Sequence, residues 1–98
     1  MARNPFVWEI QVRREALDDE MMRLREVPYS LWREVISAPV RKNVVARDNK
    51  SYELRVSAEF VRGTADIRVT MSLARPRLFR RKLMRQTFVI APDNSFKV

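Results

Sequence analysis

The stretch Tyr52-Glu53-Leu54-Arg55-Val56-Ser57-Ala58-Glu59-Phe60 alternates apolar and polar residues without a break. Successive side chains of a β-strand point to opposite faces. Tyr52, Leu54, Val56, Ala58 and Phe60 therefore line one face, and Glu53, Arg55, Ser57 and Glu59 line the other. Such a strand is half in a core and half in water. A chain built around it needs further strands beside it and an apolar cover over one face only.

The rest of the sequence supplies both. Residues 65–73 repeat the pattern, with Ile67, Val69, Met71 and Leu73 on one side and Asp66, Arg68, Thr70 and Ser72 on the other. Residues 83–90 show Met84, Gln86, Phe88 and Ile90 on one side. A shorter strand is expected over 41–47, where the adjacent Val44 and Val45 leave the facing open. Asp48-Asn49-Lys50-Ser51 reads as a turn by composition, as does Pro92-Asp93-Asn94-Ser95, with Phe96-Lys97-Val98 a short tail. Gly63 is the only glycine and is expected at a positive φ. Arg75-Pro76 ends the second long strand.

Ahead of the strands the period changes. Leu17, Met21 and Leu24 fall on one helical face, which places a helix over about 14–26. Asp18, Asp19 and Glu20 lie early in it and Arg23 and Arg25 late, as the helix dipole favours. After Pro28, Ser30 reads as an N-cap for a second helix presenting Leu31, Trp32, Val35 and Ile36, stopped at Ala38-Pro39. Residues 1–12 read as an extended or arm-like segment, because Phe6, Trp8, Ile10 and Val12 alternate with Val7, Glu9, Gln11 and Arg13 behind Pro5. The expected architecture is α+β. Two N-terminal helices within 13–38 pack on one face of a four-stranded antiparallel meander over 40–91, in a single domain of 98 residues.

Composition narrows the chemistry. There is no cysteine, hence no disulfide, thiolate ligand or thiol nucleophile, and no histidine, the usual general base and commonest metal ligand. Their joint absence argues against an ordinary hydrolase, transferase or transition-metal enzyme. No catalytic residue, cofactor or metal site is expected. No apolar run approaches the ~20 residues that span a bilayer, and no signal-peptide pattern opens the chain, so a cytoplasmic protein away from membranes is expected. The net charge is +8 and is unevenly spread. Residues 1–38 hold six basic and seven acidic side chains, and residues 39–98 hold fourteen basic and five acidic. Sixteen of the twenty basic residues are arginine, the side chain suited to bidentate pairing with phosphate or carboxylate.

In its strand and turn patterns the chain resembles a family of small uncharacterised bacterial proteins. The likeness rests on Tyr52-Glu53-Leu54-Arg55-Val56, on Asp66-Ile67-Arg68-Val69 and on the ending Phe88-Val89-Ile90-Ala91-Pro92-Asp93-Asn94-Ser95-Phe96, and covers residues 28–96. Where such proteins have glycine after the Pro-Asp pair, this chain has Asn94, which tolerates the same turn. The resemblance implies an α+β fold and brings no active-site residue.

Two groups of residues suggest an anionic partner. Residues 75–85 hold Arg75, Arg77, Arg80, Arg81, Lys82 and Arg85 with no acidic residue, around Leu78 and Phe79. Guanidinium groups near an aromatic ring suit phosphate contact with base stacking on Phe79. The plainer reading is a solvated loop anchored by Leu78 and Phe79. No RNP pattern, zinc finger or glycine clamp accompanies the run. The polar sheet face is the second group, with Arg55, Arg68 and Arg85 beside Ser57, Thr70, Ser72 and Thr87, although Glu53, Glu59 and Asp66 share that face and suit ordinary cross-strand pairing. Phe6, Trp8 and Ile10 are candidates for an interface, as a homodimer arm or a contact with a partner protein. The acidic cluster Glu15, Asp18, Asp19 and Glu20 reads as a solvated helix start rather than a metal site, and Glu59 with Asp66 is a carboxylate pair without an evident cleft. The function expected is that of a small basic binding module, a protein-interaction module first and a nucleic-acid-binding module second.

Overall fold

A computed structural model of the protein describes residues 5–74 and 84–97, with side chains from residue 11 onward. Two helices, α1 (Pro5–Leu24) and α2 (Tyr29–Ser37), precede five strands. These are β1 (Val40–Val45), β2 (Ser51–Phe60), β3 (Ile67–Ala74), β4 (Met84–Ile90) and β5 (Phe96–Lys97). They form one antiparallel sheet in the order β1-β2-β3-β4-β5, each strand pairing with the next in the chain.

The alternation read from the sequence decides which face is buried. Tyr52, Leu54, Val56 and Ala58 of β2, Ile67, Val69, Met71 and Leu73 of β3, and Phe88 and Ile90 of β4 are all buried. They pack in one cluster with Val12, Ala16, Leu17 and Met21 of α1 and Trp32 of α2. Trp32 lies edge-on to Phe88, with centroids 5.8 Å apart, and Phe88 edge-on to Phe96 at 5.6 Å. Such pairs add about 0.5–1.5 kcal/mol each beyond area burial. Phe60 departs from the pattern and is half exposed, because β1 ends opposite Val56 and leaves the last residues of β2 as an edge. Leu31 is likewise exposed, since nine residues of α2 bury fully only Trp32.

Three expectations are corrected. Residues 5–12 are helical, not extended. Pro5 opens α1, where its missing N–H leaves no intrahelical bond unmade. The alternation of Phe6, Trp8 and Ile10 is therefore not a strand row, as residues two apart on a helix lie about 200° around its axis. The tail is a fifth strand, since Phe96 and Lys97 pair with Ile90 and Val89. Ser30 is not the cap of α2. Pro28 holds that position without a side-chain bond, and the Tyr29 N–H is met instead by Asn94 Oδ1 at 2.9 Å, sixty-five residues away. The Tyr29 hydroxyl donates to the Ala65 carbonyl, so α2 is tied to two turns at one end of the sheet.

The first of these tie points, at Asn94, lies in a turn that occurs twice in the chain. Ala46-Arg47-Asp48-Asn49-Lys50 and Ala91-Pro92-Asp93-Asn94-Ser95 share Ala-x-Asp-Asn-x. In each the alanine N–H bonds the fifth residue's carbonyl, the asparagine N–H bonds the alanine carbonyl, and the aspartate accepts the fifth residue's N–H. Each asparagine takes positive φ, 60° at Asn49 and 68° at Asn94, and Gly63 at 76° does so as expected. The Ser95 hydroxyl and N–H both bond Asp93, holding its carboxyl below the ordinary aspartate range.

The tertiary cap is testable by equilibrium urea unfolding. Asn94→Gly keeps the backbone turn and loses only the bond to Tyr29, and is expected to cost about 0.5–1 kcal/mol. Asn94→Ala keeps a Cβ in the left-handed region without the polar side chain that lets asparagine tolerate it, and is expected to cost about 1–2 kcal/mol more than Asn94→Gly. Equal stability of the two variants would contradict this role for the turn.

Candidate anion-binding face

The helices cover one face of the sheet, and among the described residues nothing covers the other. The first turn sets β1 in register on β2, pairing Val45 with Ser51 and Arg41 with Arg55. Even-numbered residues of β1 then face the helices and odd-numbered residues the open side. Val44 packs partly against the core, whereas Val45 is 66% exposed, which resolves the facing that two adjacent valines left open.

The same register builds a basic row. Arg41 is opposite Arg55, Arg55 is opposite Ser72, and Ser72 is opposite Arg85. Direct cross-strand partners have Cβ atoms about 4.5–5.5 Å apart, and like charges so placed repel. The next row carries hydroxyls, Ser57 opposite Thr70 and Thr70 opposite Thr87. Arg41, Arg55, Ser57, Thr70, Ser72 and Arg85 line an open groove of about 380 Å³ floored by the sheet. Counter-charge comes from Glu53, whose Oε1 lies 2.9 Å from Arg55 Nε and 4.0 Å from Arg41 Nε. Its side chain is only 17% exposed, while those of Arg41 and Arg55 are 70% and 38% exposed. Arg85 is exposed and has no ion pair among the described residues. Two guanidinium groups thus lie against Glu53, with a third two strands away.

Two rows further along, about 14 Å at the usual rise of a strand, the face has a different character. Glu59 is opposite Arg68 and bonds it at 3.3 Å. Lys97 pairs with Asp66 at 3.1 Å, and Asp66 is itself buried. Arg68 therefore belongs to a paired, structural end of the face and is not brought to Arg55 and Arg85. Glu59 and Asp66 each hold a different cation and do not form a carboxylate pair for acid–base work.

Arg75, Arg77, Phe79, Arg80, Arg81 and Lys82 lie outside the described residues, and the helical residues Phe6, Trp8 and Ile10 precede those whose side chains are described. Of the sequence candidates the groove unites Arg55 and Arg85. It adds Arg41, which sequence reasoning passes over. The signal for Arg41 is the Ala-x-Asp-Asn turn, because a turn of known geometry fixes which residues lie opposite each other.

Three acidic residues of α1 take separate structural roles. Glu15 pairs with Arg47 at 3.3 Å, and Asp18 accepts a bond from Gln86 at 2.9 Å. Glu20 is 3% exposed and holds Arg23 through Oε1 at 3.1 Å. Lys42 Nζ, on the core side of β1, lies 2.9 Å from Glu20 Oε2 as an ion pair without hydrogen-bond alignment. No group of acidic residues among the described ones is arranged to hold a metal ion. No helix among them is long and apolar enough to cross a membrane.

Comparison with known proteins adds no relative. No family model matches the chain, and no curated protein or solved structure matches it.

Proposed function

We propose that the protein is a small binding module that takes the phosphate backbone of a nucleic acid on the open face of its sheet. The observation that supports this reading is the row Arg41, Arg55 and Arg85 on adjoining strands, with Ser72 within it and Glu53 beside the first two. Opposing two arginines across a strand pair costs stability, and a phosphate laid between them relieves that repulsion. Arginine donates two parallel N–H bonds to a phosphate, and the hydroxyls of Ser57, Thr70, Ser72 and Thr87 add weaker donors nearby. A nucleic acid fits better than a small phosphate ester, because the groove is open and the row spans four strands, about 14 Å at the usual strand spacing. The charge of +8 favours the approach of a polyanion. Among the described residues the open face of the strands carries no aromatic ring, so contact is to backbone and indifferent to base sequence.

A second reading, self-association, has its own supporting observation. Among the described residues β1 is one edge of the sheet, with Val40 and Val45 exposed along it. An unpaired edge is a template for another strand. Arg41 and Lys42 on the same strand weigh against pairing with a second copy, since charged edge residues oppose such contacts.

Two measurements separate the readings. Fluorescence anisotropy with a short labelled oligothymidylate is expected to show binding on the order of 10–100 μM at low salt. A plot of log K against log salt should have a slope of about −2, since three phosphates on a single strand contribute about −0.7 each. Arg41→Ala/Arg55→Ala/Arg85→Ala is expected to weaken binding more than about tenfold, with Arg68→Ala changing it less than about twofold. Loss of binding in Arg68→Ala alone would place the contact elsewhere. Under self-association, light scattering across a concentration series at high salt would show a dimer. Under phosphate binding, a monomer is expected there.

A further inference from the structure

Glu53 stands out once the row is read as a phosphate site. It lies on the groove side of β2, next to Arg55 in the chain's alternation and within 4.0 Å of Arg41. Its side chain is more buried than either arginine it touches. The other acidic residue on this face of β2, Glu59, is exposed and paired with Arg68 away from the groove. The two carboxylates carry the same charge on the same strand, so any difference between them comes from position.

We propose that Glu53 is a resident counter-ion of the anion site, which occupies part of the guanidinium surface that a phosphate takes and thereby limits its affinity. The inference rests on the phosphate-binding reading above. In the ligand-free protein the carboxylate offsets the repulsion between Arg41 and Arg55, as a cross-strand pair of like charges requires. An incoming phosphate either displaces Glu53 from Arg55 or binds beside it against a like charge. In both cases Glu53 lowers affinity while it holds the two arginines in place. The site then favours ligands whose charge density exceeds that of a carboxylate, and discriminates against isolated carboxylates such as those of an acidic peptide. Glu53 is a positioning and specificity residue rather than a primary contact.

The test compares Glu53→Gln with Glu59→Gln by anisotropy on the same oligothymidylate. Each substitution changes the net charge equally and keeps the side-chain shape. Glu53→Gln is expected to tighten binding about three- to tenfold, the effect of removing a unit charge several ångströms from a phosphate near the surface. Glu59→Gln is expected to change binding less than about twofold. The salt slope of Glu53→Gln should stay at the wild-type value, because the number of phosphates contacted is unchanged. Thermal unfolding of both variants checks that the sheet is intact. Equal tightening in both would reduce the effect to net charge and overturn the proposal. Unchanged or weaker binding in Glu53→Gln, with wild-type binding still lost in the triple arginine variant, would overturn it while leaving the phosphate reading standing. No binding by either the wild type or Glu53→Gln would overturn both.

Discussion

Burying one face of an alternating sheet under two helices is the constraint on which this structure depends. Tyr52, Leu54 and Val56, with Ile67, Val69, Met71 and Leu73 on the neighbouring strand, make a surface that must leave water. Trp32 and the Val12, Leu17 and Met21 stripe of α1 close over it. A strand's period of two then fixes the other half of the chemistry. Every residue between those apolar positions must stand on the open face. Arg55, Ser57, Thr70 and Ser72 stand on that face because their neighbours in sequence are buried on the other.

What the open face displays depends on register, and register depends on the turns. The Ala-x-Asp-Asn geometry after β1 places Arg41 against Arg55. A slip of one residue would turn Arg41 toward the helices and break the row. The second copy of the turn, after β4, orients Asn94 so that its side chain caps α2. One local device thus sets the register of the site's arginines from one end of the sheet and fastens the covering helix at the other. Glu20 and Lys42 make a third link, joining α1 to the core side of β1.

Much of the fold is legible in the sequence, for stated physical reasons. The strands β2 and β3 are visible because strict alternation over eight or more residues suits a half-buried strand and fits a helix poorly. Gly63, Asn49 and Asn94 announce turns through their tolerance of positive φ. The start of α1 is not legible, because Pro5 suits a strand edge and a first helical turn equally. β5 is hidden because two residues are too few for a period. The cap on Tyr29 is beyond local reading, since its acceptor lies near the other end of the chain. The candidate site divides the same way. Arg55 and Arg85 can be placed on a face from alternation alone, but their meeting with Arg41, and the pairing of Arg68 with Glu59, are facts of cross-strand register.

The central claim is that a phosphate backbone lies across the row formed by Arg41, Arg55 and Arg85. The most direct test is a heteronuclear NMR titration of the labelled protein with oligothymidylate, following backbone amides and arginine Nε–Hε signals. Shifts are expected to concentrate at Arg41, Arg55, Ser72 and Arg85, to fade toward Arg68 and Lys97, and to be absent from α2. Shifts centred on Arg68 and Lys97, or on the outer surface of the helices, would contradict the claim, as would a titration that moves no signal on the sheet.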